Sequence, residues 1–303
     1  MKKIIDNISS KYKKYKIEKI ESGASKRIFY RLKKNNHSVI LMDSGKEKSQ
    51  YNNFIKVHNY LSKINVSIPD IYERNDNRKI LLMEDFGNKR FDKIYTNYDF
   101  KKIFLTAVQT LVTIQNEIHY KSDYNLKKYN FKIFLSEISE FLDYYYPFIY
   151  NKKISKSFKE DFLSCWKNQF KKIKFNFNSF VHKDFNINNL LYLPQRQKHK
   201  KCGIIDFQNA FIGESCWDLF SLLEDSRIYY DDSYNDYYIK YFFNNTDQNT
   251  SIDEFKQIYY LLNTSRQTRI LGRWVKLASQ FNDVRYLNYI KITKKRLKKS
   301  IKK

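Results

Sequence analysis

The chain is poor in the residues that cross-link or punctuate a fold. Its 303 residues include only three Cys, three Pro and six Gly. Three Cys without a C-x-x-C pair cannot form a disulfide framework, and the odd count suits a reducing compartment. The low Gly and Pro content excludes collagen-like and low-complexity chains.

Long apolar runs are also missing. No stretch of about 18 apolar residues, the length needed to cross a bilayer, occurs in the chain. The first residues are basic and hold no apolar segment of signal-peptide length. We therefore expect a cytoplasmic protein without a membrane span.

Positive charge and aromatic residues are in excess. The chain has 57 Lys and Arg against 32 Asp and Glu, a net charge of +25, with 26 Tyr and 24 Phe. Such a charge can indicate a polyanion partner. Here, however, Lys is spread along the whole chain, as a general composition bias would spread it. The exception is the tail, residues 291–303, which holds eight basic residues and no acidic one. We therefore expect a separate electrostatic role only for this tail.

Hydrophobic patterning divides the chain after residue 86. Before it, alternating and apolar runs predict strands and one helix; beyond it, helical spacing dominates. The first region has strands at 16–20, 28–32, 38–42 and 78–84 and a helix at 47–61. The second has helices at 100–118, 131–145, 158–173, 217–224, 255–279 and 284–297, with short strands at 179–181, 190–193 and 202–205. The pattern predicts an α+β chain with a small β-rich lobe (1–86) and a larger, mainly helical lobe (87–303).

One stretch carries a constellation with a specific spacing. His182, Asp184 and Asn189 form H-x-D-x4-N, Asp206 closes the apolar run GIID, and Asp218 follows twelve residues later. With five His, 20 Asp and 29 Asn in the chain, random placement gives this spacing roughly 0.03 times. Chance is therefore a poor explanation of the motif.

These residue types suit ATP-dependent phosphoryl transfer. The transferred group needs Mg²⁺ on the β- and γ-phosphates, and Mg²⁺ prefers oxygen ligands such as those of Asn189 and Asp206. A carboxylate on the same loop, Asp184, can orient the acceptor hydroxyl and take its proton. The motif predicts a kinase that uses ATP and Mg²⁺.

The same residues resemble a known family. The chain is similar to the aminoglycoside phosphotransferase and choline kinase superfamily, and within it to bacterial anomeric kinases of N-acetylmuramate and N-acetylglucosamine. The resemblance implies a bilobal protein-kinase-like fold with an N-terminal nucleotide-binding lobe. It rests on GASKRIFYRL (23–32), LMD (41–43), LLMEDFG (81–87), VHKDFNINNLL (181–191), IIDFQNAFIGESCWDLFSLLEDSR (204–227) and RQTRILGRW (266–274).

The resemblance also implies residue roles. Asp184 would be the catalytic base, and Asn189 and Asp206 the magnesium ligands. His182 and Asp218 would be structural anchors of the catalytic loop.

The phosphate-binding side departs from the usual kinase pattern. Kinases of this fold usually place a Lys on the third strand, whereas residues 39–43 read VILMD, without a Lys. The Met-Asp pair at 42–43 resembles the anomeric kinase branch, so this departure favours that branch. The first turn has one Gly rather than three. Residues of that turn and of the next strand could supply the phosphate contacts: Gly23, Ser25, Lys26, Arg27 and Arg31.

The resemblance also suggests residues that contact the adenine base and the substrate. Glu84 and Phe86 lie in the segment expected to contact adenine through backbone groups. Asp43 and Arg266 are candidate substrate contacts, and Arg269 stands beside Arg266 on the same helical pattern.

Three functions stay open at this point. The first is a kinase of a sugar hydroxyl, in particular the anomeric hydroxyl of a cell-wall amino sugar. The second is a kinase of another alcohol, such as choline, ethanolamine, homoserine or an aminoglycoside. The third is a kinase-like polyanion binder without catalysis; the intact set of Asp184, Asn189 and Asp206 argues against it and against a nucleic-acid partner. No motif speaks to the oligomeric state.

Overall fold

The computed structural model describes residues 10–20, 26–118 and 125–303. The chain forms two compact units. Unit 1 comprises residues 1–106 and 188–209, and unit 2 comprises residues 107–187 and 210–303. The lobe boundary after Phe86 that the hydrophobic pattern suggests stays a prediction.

Unit 1 contains an antiparallel five-stranded sheet. Its strands are β1 (Lys16–Ile20), β2 (Ile28–Lys34), β3 (His37–Asp43), β4 (Ile71–Asn75) and β5 (Ile80–Glu84). They lie in the order β1-β2-β3-β5-β4. The helix α1 (Lys48–Leu61) lies between β3 and β4 in sequence, and the short α2 (Phe91–Ile94) follows β5.

The sheet buries one face because its apolar residues alternate along the strands. Residues from three neighbouring strands and Tyr12, from the 3₁₀ turn before β1, pack into a cluster on this face. The cluster consists of Tyr12, Tyr30, Leu32, Val39, Leu41, Ile80 and Leu82.

The helix α1 buries a stripe spaced three or four residues apart. Tyr51, Phe54 and Leu61 lie on this stripe, as the spacing predicts. Phe54 stacks on Phe207, with ring centroids 4.6 Å apart. This contact ties the residue after Asp206 to α1.

The second segment of unit 1, residues 188–209, contains a β-hairpin. Strands β7 (Leu190–Tyr192) and β8 (Cys202–Ile204) pair antiparallel, and Gly203 forms a bridge to Ser67. Short 3₁₀ turns at Ile187–Asn189 and Phe207–Asn209 border the hairpin. Both predicted metal ligands therefore lie at one end of it.

Unit 2 is mainly helical, with one small pair of strands. Strands β6 (Ser179–Val181) and β9 (Phe211–Gly213) pair antiparallel. The helix α3 begins in unit 1 and continues into unit 2. The helices are α3 (Phe100–Glu117), α4 (Phe131–Glu140), α5 (Tyr146–Tyr150), α6 (Lys156–Lys171), α7 (Trp217–Leu223), α8 (Asn235–Asn244), α9 (Ile252–Phe281) and α10 (Ile290–Ile301), with a π-helix at Phe141–Tyr145.

The long helix α9 is buried along much of its length. A capping box between Ser251 and Glu254 begins it. At Gly272 a Cβ atom would lie 2.1 Å from the carbonyl oxygen of Glu140, so only glycine permits this approach to the end of α4.

The basic tail of the chain is an ordered helix, α10, rather than an extension of a loop. Its buried face is polar: Trp274 Nε1 donates to Thr293 Oγ1 at 3.0 Å, and Asn263 Nδ2 donates to Ser300 Oγ at 3.2 Å. Arg296 is buried and its Nη1 lies 3.1 Å from Glu224 Oε2. These bonds fasten α10 to unit 2.

The predicted α+β class is confirmed, and most predicted elements occur within a few residues of their expected ends. The strands β4 and β9 and the helices α2, α5 and α8 were not predicted; β9 has three residues, too few to show a period. The helix predicted at 131–145 changes to a π-helix at Phe141–Tyr145. The turn expected at 21–25 lies outside the described residues, and no described helix could cross a membrane.

Candidate active site

A buried carboxylate holds the start of the loop that follows β6. Asp218, in the first turn of α7, is 1% exposed. Its Oδ2 accepts a hydrogen bond from the His182 amide at 2.6 Å, and its Oδ1 accepts one from the Lys183 amide at 3.0 Å. Lys183 has a φ of 78°, an uncommon conformation for a non-glycine residue, which these bonds stabilise. Asp218 thus has the contacts expected of an anchor.

The electrostatics of Asp218 connect it to Asp184. The pKa of Asp218 is raised to about 7, chiefly by burial and to a smaller extent by the negative charge of Asp184. The amides of His182 and Lys183 oppose both effects because they stabilise the carboxylate. The charge of Asp184 therefore acts on Asp218 within unit 2.

A second buried carboxylate holds the end of the same loop. Asp225 is fully buried, and its Oδ2 accepts a hydrogen bond from the Ile187 amide at 3.3 Å. Its Oδ1 accepts bonds from the Arg227 amide and from Arg227 Nη1, both at 3.0 Å. Sequence reasoning did not assign Asp225, although it lies in the motif at 204–227. Loop residues 182–187 are clamped at both ends.

Asp184 lies half-buried in the middle of this clamped loop. The amide of Asn186 donates to the Asp184 carbonyl oxygen at 2.9 Å, which closes a tight turn. The carboxylate projects from a backbone that its neighbours hold in place. The predicted role of Asp184 as general base would require such a fixed backbone, and the role stays a prediction.

Arg266, on α9, is a buried cation on which the charges of Asp225 and Asp184 act. It is 6% exposed, and burial lowers its pKa to about 10 while Asp225 and Asp184 raise it. Among the described residues, Arg266 Nη1 finds no hydrogen-bond partner. Arg269 instead pairs with Glu137, at 2.8 Å.

The predicted metal ligands lie together in unit 1. The Ile205 amide donates to the Asn189 carbonyl oxygen at 3.0 Å, and Asp206 is the next residue. Asp206 has a φ of 67° and a side chain that is 34% exposed. Such backbone strain in a non-glycine residue is common at functional sites.

The donor set suits Mg²⁺ bound together with phosphates. Asn189 and Asp206 offer amide and carboxylate oxygens, the ligands that Mg²⁺ prefers. Across residues 10–20, 26–118 and 125–303, no group of three or more His, Cys, Asp and Glu could hold a metal alone. A site of two protein ligands completed by phosphate oxygens and water fits both observations.

A buried arginine contacts this carboxylate. Arg27, the residue before β2, is 5% exposed, and its Nη2 lies 2.5 Å from Asp206 Oδ1. Its Nη1 donates to Gln208 Oε1 at 3.0 Å and lies 3.8 Å from Met42 Sδ on β3. Its Nε is 3.9 Å from Glu47 Oε2, at the start of α1. Arg27 therefore brings a cation to the third strand, which has no Lys.

The other two predicted phosphate cations differ from Arg27. Lys26 is exposed. Arg31 pairs with Asp85, its Nε lying 2.6 Å from Oδ2, and donates to the Gly87 carbonyl oxygen at 3.0 Å. Arg31 thus supports the segment after β5, and its assignment to phosphate stays a prediction, as does that of Lys26. Gly23 and Ser25 lie outside the described residues.

The segment predicted to contact adenine has its side chains occupied. Glu84 Oε1 accepts a hydrogen bond from Arg196 Nη2 at 2.6 Å, and the Arg196 guanidinium lies 5.0 Å from the Phe86 ring centroid. A base bound here would meet backbone groups, as the sequence suggests. The roles of Glu84 and Phe86 stay predictions.

Asp43 stands at the other end of the paired strands. Glu84 pairs with Val39, whereas Asp43 pairs with Ile80, so four residues, or about 13 Å of strand, separate the two acids. Asp43 Oδ1 accepts a hydrogen bond from the Gly45 amide at 2.9 Å, a turn contact. Its role as a substrate contact stays a prediction.

The described nucleotide- and metal-binding candidates all belong to unit 1, and the loop with Asp184 belongs to unit 2. Unit 1 brings Asn189, Asp206 and Arg27 together. Unit 2 brings together His182, Asp184, Asp218, Asp225 and Arg266.

Comparison with known sequences agrees with this geometry. The sequence model of the family described as "Phosphotransferase enzyme family" matches residues 150–251. The N-acetylmuramate/N-acetylglucosamine kinase of Pseudomonas aeruginosa PAO1 is 22% identical over 277 residues, 88% of this chain and 78% of that protein. The kinase of the same name from Pseudomonas putida KT2440 is 20% identical over 275 residues, with the same two shares.

Comparison with solved structures shows the fold. The ADP-bound aminoglycoside phosphotransferase APH(2'')-Ib aligns with a TM-score of 0.66 at 14% identity, covering 97% of this chain and 98% of that one. The choline kinase LicA from Streptococcus pneumoniae aligns with a TM-score of 0.60 at 16% identity, covering 98% of both chains.

Sequence and fold thus lead to one assignment. The predicted resemblance, protein-kinase-like fold and enzyme class are confirmed. The chain matches the sequence model of the phosphotransferase enzyme family over residues 150–251 and is a small-molecule kinase of protein-kinase-like fold.

Proposed function

We propose that this kinase uses ATP and Mg²⁺ to phosphorylate a sugar hydroxyl, namely the anomeric hydroxyl of N-acetylmuramate or N-acetylglucosamine, in the recycling of cell-wall sugars. The reaction would take place in the cytoplasm, where ATP is available. The observation that carries the proposal is the Asp184 loop, clamped by Asp218 and Asp225, in a chain whose relatives over 88% of its length have that name.

Asp184 is the proposed catalytic base. Phosphoryl transfer passes through a loose transition state, so the base chiefly orients the acceptor hydroxyl and takes its proton late. A carboxylate on a loop fixed at both ends performs this role without reorganisation during the reaction. Asn189 and Asp206 would hold Mg²⁺, which when bound neutralises charge on the phosphates.

Arg27 is the proposed substitute for the missing third-strand Lys. In protein kinases that Lys pairs with a Glu on the helix after the third strand. Arg27 reaches the same elements here, because its guanidinium lies 3.8 Å from Met42 Sδ on β3 and 3.9 Å from Glu47 Oε2 before α1. Its contact with Asp206 places it beside the metal-binding carboxylate. We expect it to contact the nucleotide phosphates.

Arg266 is the proposed acceptor-side cation. Its buried Nη1 has no partner among the described residues, and the charge of Asp184 acts on it. A buried donor without a partner gains from an oxygen acceptor, such as a hydroxyl or carboxylate of the sugar. Asp43 remains a second candidate substrate contact.

Replacing the proposed base tests the mechanism. Asp184→Asn should lower kcat by about 100- to 10,000-fold while leaving the Kd for ATP nearly unchanged, because the amide cannot accept the proton. Asp161→Asn, at an exposed carboxylate on α6, is the matched control and should retain full turnover. An Asp184→Asn enzyme with normal turnover would falsify the assignment of the base.

A panel of acceptors tests the substrate. ATP consumption is measured with N-acetylmuramate, N-acetylglucosamine, choline, ethanolamine, homoserine and kanamycin, and ³¹P NMR locates the phosphate on any product. We expect the amino sugars to give the highest kcat/KM, with phosphate on the anomeric oxygen. Turnover with choline or kanamycin alone would show that the acceptor is another alcohol, while the assignment as a kinase would stand.

The role of Arg27 is tested by binding rather than by turnover. Arg27→Met should weaken ATP binding about 10- to 100-fold and leave adenosine binding unchanged, since only ATP carries the phosphates. Lys26→Met removes the neighbouring exposed cation and serves as the control, with a smaller effect. Equal losses for ATP and adenosine would show that Arg27 only supports the fold of unit 1.

A further inference from the structure

The exposed side of α10 presents a row of like charges. Lys291, Lys294, Lys295 and Lys298 follow one another at i, i+3, i+4 and i+7, so they share one face of the helix. All four side chains are exposed. We name this set the lysine face.

Within the described chain, no carboxylate forms an ion pair with the lysine face, although the next residue, Lys299, pairs with Asp232 at 2.6 Å. The contact recorded for Lys295 is with Tyr229, whose hydroxyl lies 3.2 Å from Nζ. Like charges at i, i+4 destabilise a helix. The arrangement therefore persists despite a repulsion that a bound anion would relieve.

The lysine face borders an open groove of about 660 Å³ whose other wall is apolar. Phe148 and Ile149 of α5 form that wall, and Leu287 and Ile290 also line the groove. Phe148 is 49% and Ile149 46% exposed, which is high for side chains of this size. The groove thus combines exposed apolar surface with unneutralised positive charge.

The lysine face is a rigid platform rather than a flexible tail. The opposite side of α10 buries Thr293, Arg296 and Ser300, each hydrogen-bonded within unit 2. The lysines therefore keep their positions relative to Phe148 and Ile149, and binding there would not require the helix to fold.

We propose that this surface docks onto a membrane containing anionic phospholipids. The lysine face would meet the headgroup phosphates, and Phe148 and Ile149 would enter the boundary with the acyl chains. Lys152 and Lys153, exposed just after α5, add positive charge beside the apolar wall in sequence. A dissolved polyanion would use the lysines but leave the apolar wall in water, so an anionic lipid surface matches both halves of the groove.

Vesicle co-sedimentation tests the charge contribution. The full chain is mixed with vesicles of phosphatidylcholine alone or with added phosphatidylglycerol, at low salt and at about 0.15 M salt. We expect binding only to the anionic vesicles, weakened by salt. Replacing the lysine face by four Gln should lower the partition coefficient about 100-fold or more.

A charge-matched variant distinguishes this surface from the general Lys excess. Lys156, Lys159, Lys167 and Lys171 on α6 are also exposed, and their replacement by Gln removes the same charge elsewhere in unit 2. This control should change the partition coefficient less than about threefold. Equal losses in both variants, or no binding to anionic vesicles by the unaltered chain, would overturn the proposal.

The apolar wall separates a lipid surface from a dissolved polyanion. The double variant Phe148→Ser and Ile149→Ser should weaken vesicle binding about tenfold, because it removes the side chains that enter the bilayer. Circular dichroism confirms that each variant is folded. Tighter binding to a fluorescent RNA or DNA oligonucleotide than to vesicles, with no effect of the double variant on either, would replace the membrane by nucleic acid.

Discussion

The two units use acidic side chains in opposite ways. In unit 1, Asp206 is partly exposed and faces the Arg27 guanidinium. In unit 2, Asp218 and Asp225 are 1% and 0% exposed and accept hydrogen bonds from backbone amides. The first arrangement suits a carboxylate that exchanges one cation for another. The second suits carboxylates that hold a loop, so the position of the Asp184 loop depends on the buried Asp218 and Asp225.

The glycines of the two units differ in a parallel way. A Cβ at Gly203 in unit 1 would meet the side chains of Phe86 and Leu193 at 2.7 Å and 2.9 Å. A Cβ at Gly272 in unit 2 would meet the backbone of Glu140 at 2.1 Å. Side chains can rotate away, whereas two packed helices cannot separate without losing contacts. Unit 2 therefore tolerates less change at its closest approach.

Asp206→Asn should produce the largest effect on turnover, and it tests whether the partly exposed carboxylate of unit 1 serves function rather than stability. We expect kcat to fall about 1,000-fold or more, because the neutral amide binds Mg²⁺ weakly. The free energy of unfolding should change by only about 1 kcal/mol, since the amide oxygen can still accept from Arg27. Steady-state kinetics and urea denaturation measure both; a variant that loses stability without losing turnover would contradict the comparison.

Gly272→Ala tests whether the close approach in unit 2 tolerates less change than the one in unit 1. The added methyl forces α9 away from the end of α4, and we expect a loss of about 3 kcal/mol of unfolding free energy. Gly203→Ala, which displaces only side chains, should cost about 1 kcal/mol and is the matched variant in unit 1. Urea denaturation of both proteins decides the question, and equal losses would remove the distinction.

Asp218→Asn should destabilise unit 2 by about 1–3 kcal/mol, because one of its two buried acceptor oxygens becomes a donor that faces an amide. Turnover should fall as well, since the loop before Asp184 loses its anchor. Asp253→Asn, an exposed carboxylate in the first turn of α9, provides the control in thermal unfolding. An unchanged melting temperature for Asp218→Asn would show that the clamp is dispensable.

The last prediction concerns the pH dependence of stability. Burial raises the pKa of Glu214 to about 7, while its bond from the Asn176 amide opposes the shift. The folded state therefore favours protonated Glu214, and the stability it contributes below pH 4.5 is lost as pH rises towards 7. Glu214→Gln removes this dependence, so its melting temperature relative to the unaltered chain should rise between pH 5 and about 8. A constant difference would contradict the assigned burial effect.

Several features of the fold and the site could be predicted from the chain itself. The strand at 16–20 and the helix at 100–118 have clear hydrophobic periods and appear within a residue of the expected ends. The spacing of His182, Asp184 and Asn189 predicts a kinase loop because that chemistry needs those groups on one short segment. The strand β9 has too few residues for any period to show.

Other features depend on contacts between distant segments. From the sequence, Arg27, Lys26 and Arg31 were equally good candidates for contacting the phosphates. Only packing distinguishes them, because Arg27 contacts Asp206 whereas Arg31 pairs with Asp85. Asp225 carried no signal of its own, since an acidic residue in a helix-ending segment is common. Its role follows from its bond to the Ile187 amide, 38 positions away.

The sequence by itself determined the α+β class and the H-x-D-x4-N motif with its acidic residues. Hydrophobic periodicity and motif spacing depend only on residues that are close together in the chain, so both can be recognised without a structure. The tertiary structure decided which of these acids are buried and which face a cation, since burial and charge pairing depend on segments far apart in the chain. It also decided that the basic tail is a packed helix with a lysine face, because only the contacts of α10 with α9 show which of its side chains remain exposed.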